Sequence, residues 1–218
     1  MVISRYLHEY ATRAAGLLGD DVEASITMRQ HGLTLRGGSS TPDAARCDQA
    51  EAMADAGPCV EAMTTATILV VPSVEDDDRW LAWREQSIKE GFVKALALPA
   101  RVTPGIVVAL NLYSRSPAAW EEKMVRAGDS YARLIASGVR LQLEFSDLED
   151  AAASLYQAMS GTVAVERAVG AIIQTNDCTE AQARDLLRTA AEDQGVGERT
   201  IAVTILRSLA VGGPGRRR

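Results

Sequence analysis

Apolar residues recur at alternating steps of four and three from Trp120 onward. The series is Trp120, Met124, Ala127, Tyr131, Leu134, Gly138, Leu141, Phe145, Leu148, Ala152, Leu155 and Met159, and Gly138 alone lacks an apolar side chain. A repeat of about 3.5 residues draws one seam along a helix, and so long a seam calls for a partner helix. No proline occurs between Pro117 and Pro214, so a single long helix is permitted. The spacing predicts a dimer seam of Trp120, Met124, Tyr131, Leu134, Leu141, Phe145 and Leu148, with residues 117–146 as a connecting coiled-coil helix. Residues 2–18 also have helical spacing, with Val2, Tyr6, Leu7, Tyr10, Ala14, Leu17 and Leu18 on one side. That helix is a second possible partner, so pairing between chains and pairing within one chain both fit.

Ahead of the seam the pattern is mixed. Residues 24–28 and 33–35 alternate around His31-Gly32, a hairpin signal. Gly37-Gly38-Ser39-Ser40 reads as a loop. Thr41-Pro42 opens a helix as cap and first residue. Gly57-Pro58 breaks it, and a short helix spans 59–63. Residues 68–71 read as a strand. The acidic run 76–78 is expected to begin a helix carrying Trp80, Leu81 and Trp83, where it would offset the helix dipole. Residues 92–98 read as a strand, 99–105 as a turn, and 106–112 as a last strand. A hairpin at each end favours an antiparallel sheet with helices packed on it.

Behind the seam only helices are predicted. Val165, Ala168, Val169, Ile172 and Ile173 share one face, and Asn176-Asp177 ends that helix. Thr179 and Gln182 have capping-box spacing and start a second helix. Gly195-Val196-Gly197 is a turn before a third, which carries Ile201, Ala202, Ile205, Leu206 and Leu209. Residues 213–218, ending in three arginines, are expected to be a disordered basic tail.

Composition narrows the function. In the 218 residues the net charge is −6, from 29 acidic and 23 basic residues, which disfavours a nonspecific nucleic-acid or membrane binder. Three cysteines (Cys47, Cys59, Cys178) and two isolated histidines form no CxxC and no metal-ligand cluster. No metal and no cofactor is therefore expected. No constellation of nucleophile and base supports an enzyme. With no apolar run of about 18 residues and no leader, a soluble cytoplasmic protein without membrane contact is expected.

Two family resemblances cover most of the chain. Cys47-Asp48-Gln49, Gly57-Pro58-Cys59-Val60-Glu61-Ala62, Asp78-Arg79-Trp80, Gly91-Phe92-Val93-Lys94, Leu98-Pro99 and Ala109-Leu110-Asn111-Leu112-Tyr113-Ser114 resemble, in that order, a GAF domain of actinobacterial regulators. Leu155, Ala158-Met159, Val165, residues 168–173, residues 179–183, Leu186-Leu187-Arg188 and Ile201-Ala202 resemble an ANTAR domain of transcription antiterminators. The combination implies an α+β, antiparallel-sheet GAF-like sensor domain (1–116), the coiled-coil helix (117–146), and an all-α three-helix ANTAR-like bundle (147–212). It further implies a homodimer that binds hairpin loops of nascent RNA and prevents termination. The sensor would take a small-molecule effector or a protein partner.

The candidate RNA-binding residues are Arg167, Arg184, Arg188 and Arg199; the plainer reading of each is a solvated arginine paired locally. Positions 162 and 169, often arginine and lysine in the family, are Thr162 and Val169 here. Residues 150–212 hold five basic and eight acidic residues, a poor balance for neutralising phosphates. The alternative reading is a dimeric sensor or interaction protein whose bundle docks a protein. In the sensor, Arg79, Trp80, Trp83 and Phe92 are candidates to line a ligand pocket, against ordinary core packing. Cys59 is a fifth candidate, since a thiol at a helix start is open to activation by the dipole.

Overall fold

The computed structural model describes residues 2–148 and 161–210, with side chains for 5–144 and 163–208. Phe145 and Leu148 belong to a described helix, but their side chains lie outside those residues. So do the seam positions 152, 155 and 159 and the tail at 213–218.

Helix α1 (Val2–Leu18) leads into β1 (Val22–Gln30) and β2 (Leu33–Ser39). His31 (φ 49°) and Gly32 (φ 83°) form the tight turn between them, the conformation whose twist suits a two-residue hairpin. Helices α2 (Pro42–Ala54) and α3 (Pro58–Thr65), strand β3 (Leu69–Val71), helix α4 (Leu81–Lys89) and strands β4 (Lys94–Thr103) and β5 (Ile106–Ser114) complete an α+β domain. The sheet is antiparallel in the order β2-β1-β5-β4-β3. Helices α1 and α5 (Glu122–Leu148) lie on one face, and α2, α3 and α4 on the other.

Three local expectations are corrected. Gly37 and Gly38 belong to β2 rather than to a loop. A side chain at Gly37 would meet Leu7 Cδ1 at 2.6 Å, and one at Gly38 would meet the Leu7 carbonyl carbon at 2.6 Å. Glycine is required there because the α1 backbone rests on the strand. Strand β4 runs through Pro99 to Thr103; β3 stops opposite Ala97, so β4 has no outer neighbour at Pro99, where a missing N–H is tolerated. The acidic run 76–78 precedes α4 by two residues rather than filling its first turn. Asp77 instead accepts from the Arg79 backbone N–H at 3.2 Å and from its guanidinium.

Helix α5 is not a free-standing shaft. Ala132, Ile135, Ala136 and Val139 are buried against the sheet, in one core with Leu98, Leu110 and Leu112. On its flank Tyr131 Oη donates to the Tyr10 carbonyl at 3.2 Å, and the two rings meet edge to face at 6.2 Å. The long helix therefore uses α1 as a partner within its own chain.

Helices α6 (Gly161–Asn176), α7 (Glu180–Gln194) and α8 (Glu198–Ala210) form a bundle around Ala164, Ala168, Ile172, Leu187, Ile201 and Ile205. Alanines at the contacts let the helices approach closely. The Thr179–Gln182 capping box is present, and Gly195 closes α7 with φ 62°.

Candidate functional site

The sensor interior is polar at its centre. Asp48 on α2 is 2% exposed and accepts four hydrogen bonds. Its Oδ1 receives Ser25 Oγ at 2.7 Å, Tyr113 Oη at 3.0 Å and Asn111 Nδ2 at 3.2 Å, and its Oδ2 receives Thr27 Oγ1 at 3.0 Å. Burial still raises its pKa, although the donors oppose the shift. Glu51, one turn on, accepts the Cys59 N–H at 3.1 Å through Oε1. Burial, then the charge of Asp48, pushes the Glu51 carboxyl up to about 8. Among the described residues, Glu51 Oε2 and Asn111 Oδ1 have no partner.

The five sensor candidates separate. Trp80, Trp83 and Phe92 pack in one apolar cluster with Cys47, Val71, Val74 and Tyr113, the two indoles edge to face at 5.9 Å. Cys59 lies in a neighbouring cluster with Met63, Ala97 and Ala109. Arg79 is on the surface, its guanidinium 4.0 Å from the Trp80 ring centroid and paired with Asp77 at 2.6 Å. Cys59 does sit in the first turn of α3, but its thiol is pushed well up, first by burial and then by Glu51 and Asp48. The helix-dipole activation that made Cys59 a candidate is outweighed, because a thiolate there would lie in a dry site beside two carboxyl groups, and Cys59 packs as a core residue.

The bundle arginines are at its surface. Arg184 pairs with Glu166 at 2.7 Å and Glu180 at 2.8 Å, and Arg188 pairs with Asp185. Arg167 on α6 and Arg199 on α8 are exposed. Val169 is 2% exposed.

The seam candidates divide into two sets. Met124 and Tyr131 are half-buried towards the sensor core. Trp120 is half-buried too, with its Nε1–H bonded to the Ala95 carbonyl at 3.1 Å and Lys94 over its ring. Leu134 and Leu141, seven residues apart, are 54% and 50% exposed, and on α1 Tyr6 and Leu17 are exposed as well.

The bundle docks on the sensor along β2. Asn176 Oδ1 accepts the Arg36 N–H at 3.1 Å, and its Nδ2 donates to the Thr34 carbonyl at 3.0 Å. Arg36 Nε donates to the Thr175 carbonyl at 3.0 Å. Gln30 Nε2 donates to the Thr204 carbonyl at 3.2 Å, and Ser208 Oγ donates to Gln30 Oε1 at 2.6 Å. Beside this contact the hairpin turn, the end of α2 and α7 enclose a cleft of about 360 Å³, with Asp55 and Asp185 among its lining groups.

Sequence reasoning missed both polar clusters. Ser25 and Thr27 are the polar positions of the alternating segment 24–28, and because helices cover both faces of the sheet they are buried. Asn176 was visible only as a helix terminator.

Among the described residues, no group of three candidate metal ligands occurs and no helix is long and apolar enough to cross a membrane. Residues 153–206 match the family model of the ANTAR domain. No curated protein matches the sequence. Among solved structures, a domain of a two-component sensor histidine kinase protein from Sinorhizobium meliloti 1021 is similar, with TM-score 0.51 and 15% identity over 66% of this chain and 97% of that one. That likeness is one of fold. The GAF domain region of a membrane protein from Geobacter sulfurreducens PCA aligns with TM-score 0.43 and 17% identity, over 65% of this chain and 97% of that one.

Proposed function

Because the chain carries an ANTAR domain behind a GAF-like α+β domain, the plan of a GAF–ANTAR regulator, we propose that it is a cytoplasmic, non-enzymatic RNA-binding antiterminator. The bundle holds hairpin loops of a nascent transcript, and the sensor domain, through a small effector or a protein partner, sets when it does so. The observation that carries this reading is the ANTAR match at 153–206, which spans the three helices that display Arg167, Arg184, Arg188 and Arg199. Arginine suits both phosphate contact and stacking on unpaired bases.

A homodimer is part of the same reading. Leu134 and Leu141 continue the seven-residue repeat on the outer side of α5, and Tyr6 and Leu17 add exposed apolar surface on α1. A second copy seated on the outer side of α5 would bury Leu134 and Leu141.

The test is binding of the full chain to an RNA with two adjacent hairpin loops. Replacing Arg184 and Arg188 together by alanine is expected to weaken binding and to flatten its salt dependence, by about one unit of slope for each phosphate no longer neutralised. A second reading, a bundle that docks protein instead of RNA, draws on the engagement of both arginines by Glu166, Glu180 and Asp185. It predicts no hairpin binding by either form.

A further inference from the structure

We propose that the β2 edge of the sensor is a reversible docking site for the chain's own effector bundle, latched by Asn176, and that the docked state is the one closed to RNA. This rests on the RNA-binding reading above.

β2 is one of the two edge strands of the sheet. An outermost strand presents N–H and C=O groups that must find water or a partner. Asn176 supplies the partner. Its carboxamide donates to the Thr34 carbonyl and accepts from the Arg36 N–H, so one side chain stands in for a peptide unit of a further strand. Val169 lies seven residues before Asn176, on the same face of α6, and is buried. A second contact from the far end of the bundle, Gln30 with Thr204 and Ser208, fixes the angle of docking.

The chemistry of these bonds suits opening. They join neutral amides, a hydroxyl, backbone groups and one guanidinium (Arg36 to the Thr175 carbonyl), all of which water satisfies on separation. Apolar residues accompany them, since Leu33 and Leu35 of β2 share one buried cluster with Val169 and Ile172 of α6, and contacts between parts of a chain permit relative motion unless they are large and hydrophobic.

Docking also has an electrostatic consequence. Residues 1–148 hold 15 basic and 20 acidic residues. RNA approaching the docked bundle meets this acidic domain as a neighbour, whereas a released bundle moves beyond the roughly 8–10 Å over which exposed charges act at ordinary salt. An apparent Kd then scales inversely with the released fraction.

The experiment uses the full chain and compares wild type with Gln30→Ala and Asn176→Ala. Gln30→Ala is altered on the sensor side, and Ser208 keeps its bond to the Ile205 carbonyl at 2.8 Å, so the bundle itself is undisturbed. Hydrogen exchange at the Arg36 amide reports docking without RNA. It is direct in Gln30→Ala, where Asn176 remains to protect that amide. The proposal expects exchange about tenfold faster in Gln30→Ala, and two-hairpin RNA bound tighter by a matching factor in both variants. Unchanged Arg36 exchange in Gln30→Ala overturns the latch. Faster exchange with unchanged or weaker RNA binding overturns the closed state. Faster exchange with no RNA bound by any form overturns the RNA-binding reading instead.

Discussion

Tyr131 donates its hydroxyl to the backbone carbonyl of Tyr10 at 3.2 Å, which fixes α5 against α1 inside one chain. Gly138 lies two turns further along the same flank, and a side chain there would meet the Tyr10 hydroxyl at 3.2 Å. Glycine in a helix interior costs about 1 kcal/mol against alanine, and here it makes room for the crossing. Gly138→Ala is expected to leave stability nearly unchanged, since helix propensity and crowding offset each other. Gly138→Leu is expected to lose about 1–3 kcal/mol through overpacking. Urea unfolding of both variants checks this; a leucine variant more stable than wild type would contradict the close crossing.

The outer half of the seam gives the opposite expectation. Leu134 and Leu141 are half exposed while Ile135 beside them is fully buried. Leu134→Glu with Leu141→Glu is therefore expected to leave the melting temperature close to that of wild type and to convert a dimer to a monomer in sedimentation. Ile135→Glu is expected to prevent folding, because an unpaired carboxylate would be buried in the core. A double variant that still sediments as a dimer would place the dimer contact elsewhere.

One heptad repeat is compatible with two kinds of partner, and that bears on how much of the fold could be read in advance. The repeat at 120–148 identified a helix and its apolar side, but a stripe of that width fits a partner from the same chain on one flank and a partner from another copy on the next. Local signals were more decisive. His31-Gly32 has only one common structural meaning between alternating segments, and Thr41-Pro42 and Thr179-Gln182 are self-contained caps. Gly37-Gly38 failed as a signal because the reason for glycine is a helix from elsewhere in the chain. Ser25, Thr27, Asn111 and Asp48 failed for the same reason. Their polarity is satisfied by one another across 21 to 86 residues of sequence separation, and no window along the chain reveals that. Of the site, Arg184 and Arg188 were legible from their spacing of four as one helix face, whereas the β2 docking contact of Asn176 joins residues 140 positions apart and was not.

The capping box at the start of α7 is open to a direct test. Thr179 Oγ1 accepts the Gln182 N–H at 3.3 Å, and the Thr179 N–H donates to Gln182 Oε1 at 2.9 Å. Thr179→Ala removes the side-chain half of that exchange and is expected to cost about 1 kcal/mol. Thr179→Ser, which keeps the hydroxyl, is expected to recover most of it. Chemical denaturation of the three proteins distinguishes the loss of the cap from the loss of packing by the threonine methyl.

The buried carboxyl pair makes stability depend on pH. Burial and the charge of Asp48 hold the Glu51 pKa up at about 8, against 4.5 for an unperturbed glutamate. Below about pH 4.5 the group is protonated in both folded and unfolded chains, and its contribution is fully present. Between 4.5 and 8 the unfolded chain releases the proton while the folded chain keeps it, so stability falls as pH rises, by at most about 1.4 kcal/mol per unit from this group. Asp48 is shifted in the same direction and adds to the slope. Glu51→Gln keeps an oxygen for the Cys59 N–H and cannot ionise. Its unfolding free energy is therefore expected to vary much less between pH 5 and 8, and to exceed that of wild type at pH 8. Parallel pH profiles for the two proteins would mean that Glu51 is already ionised in the fold, with its charge held by the start of α3.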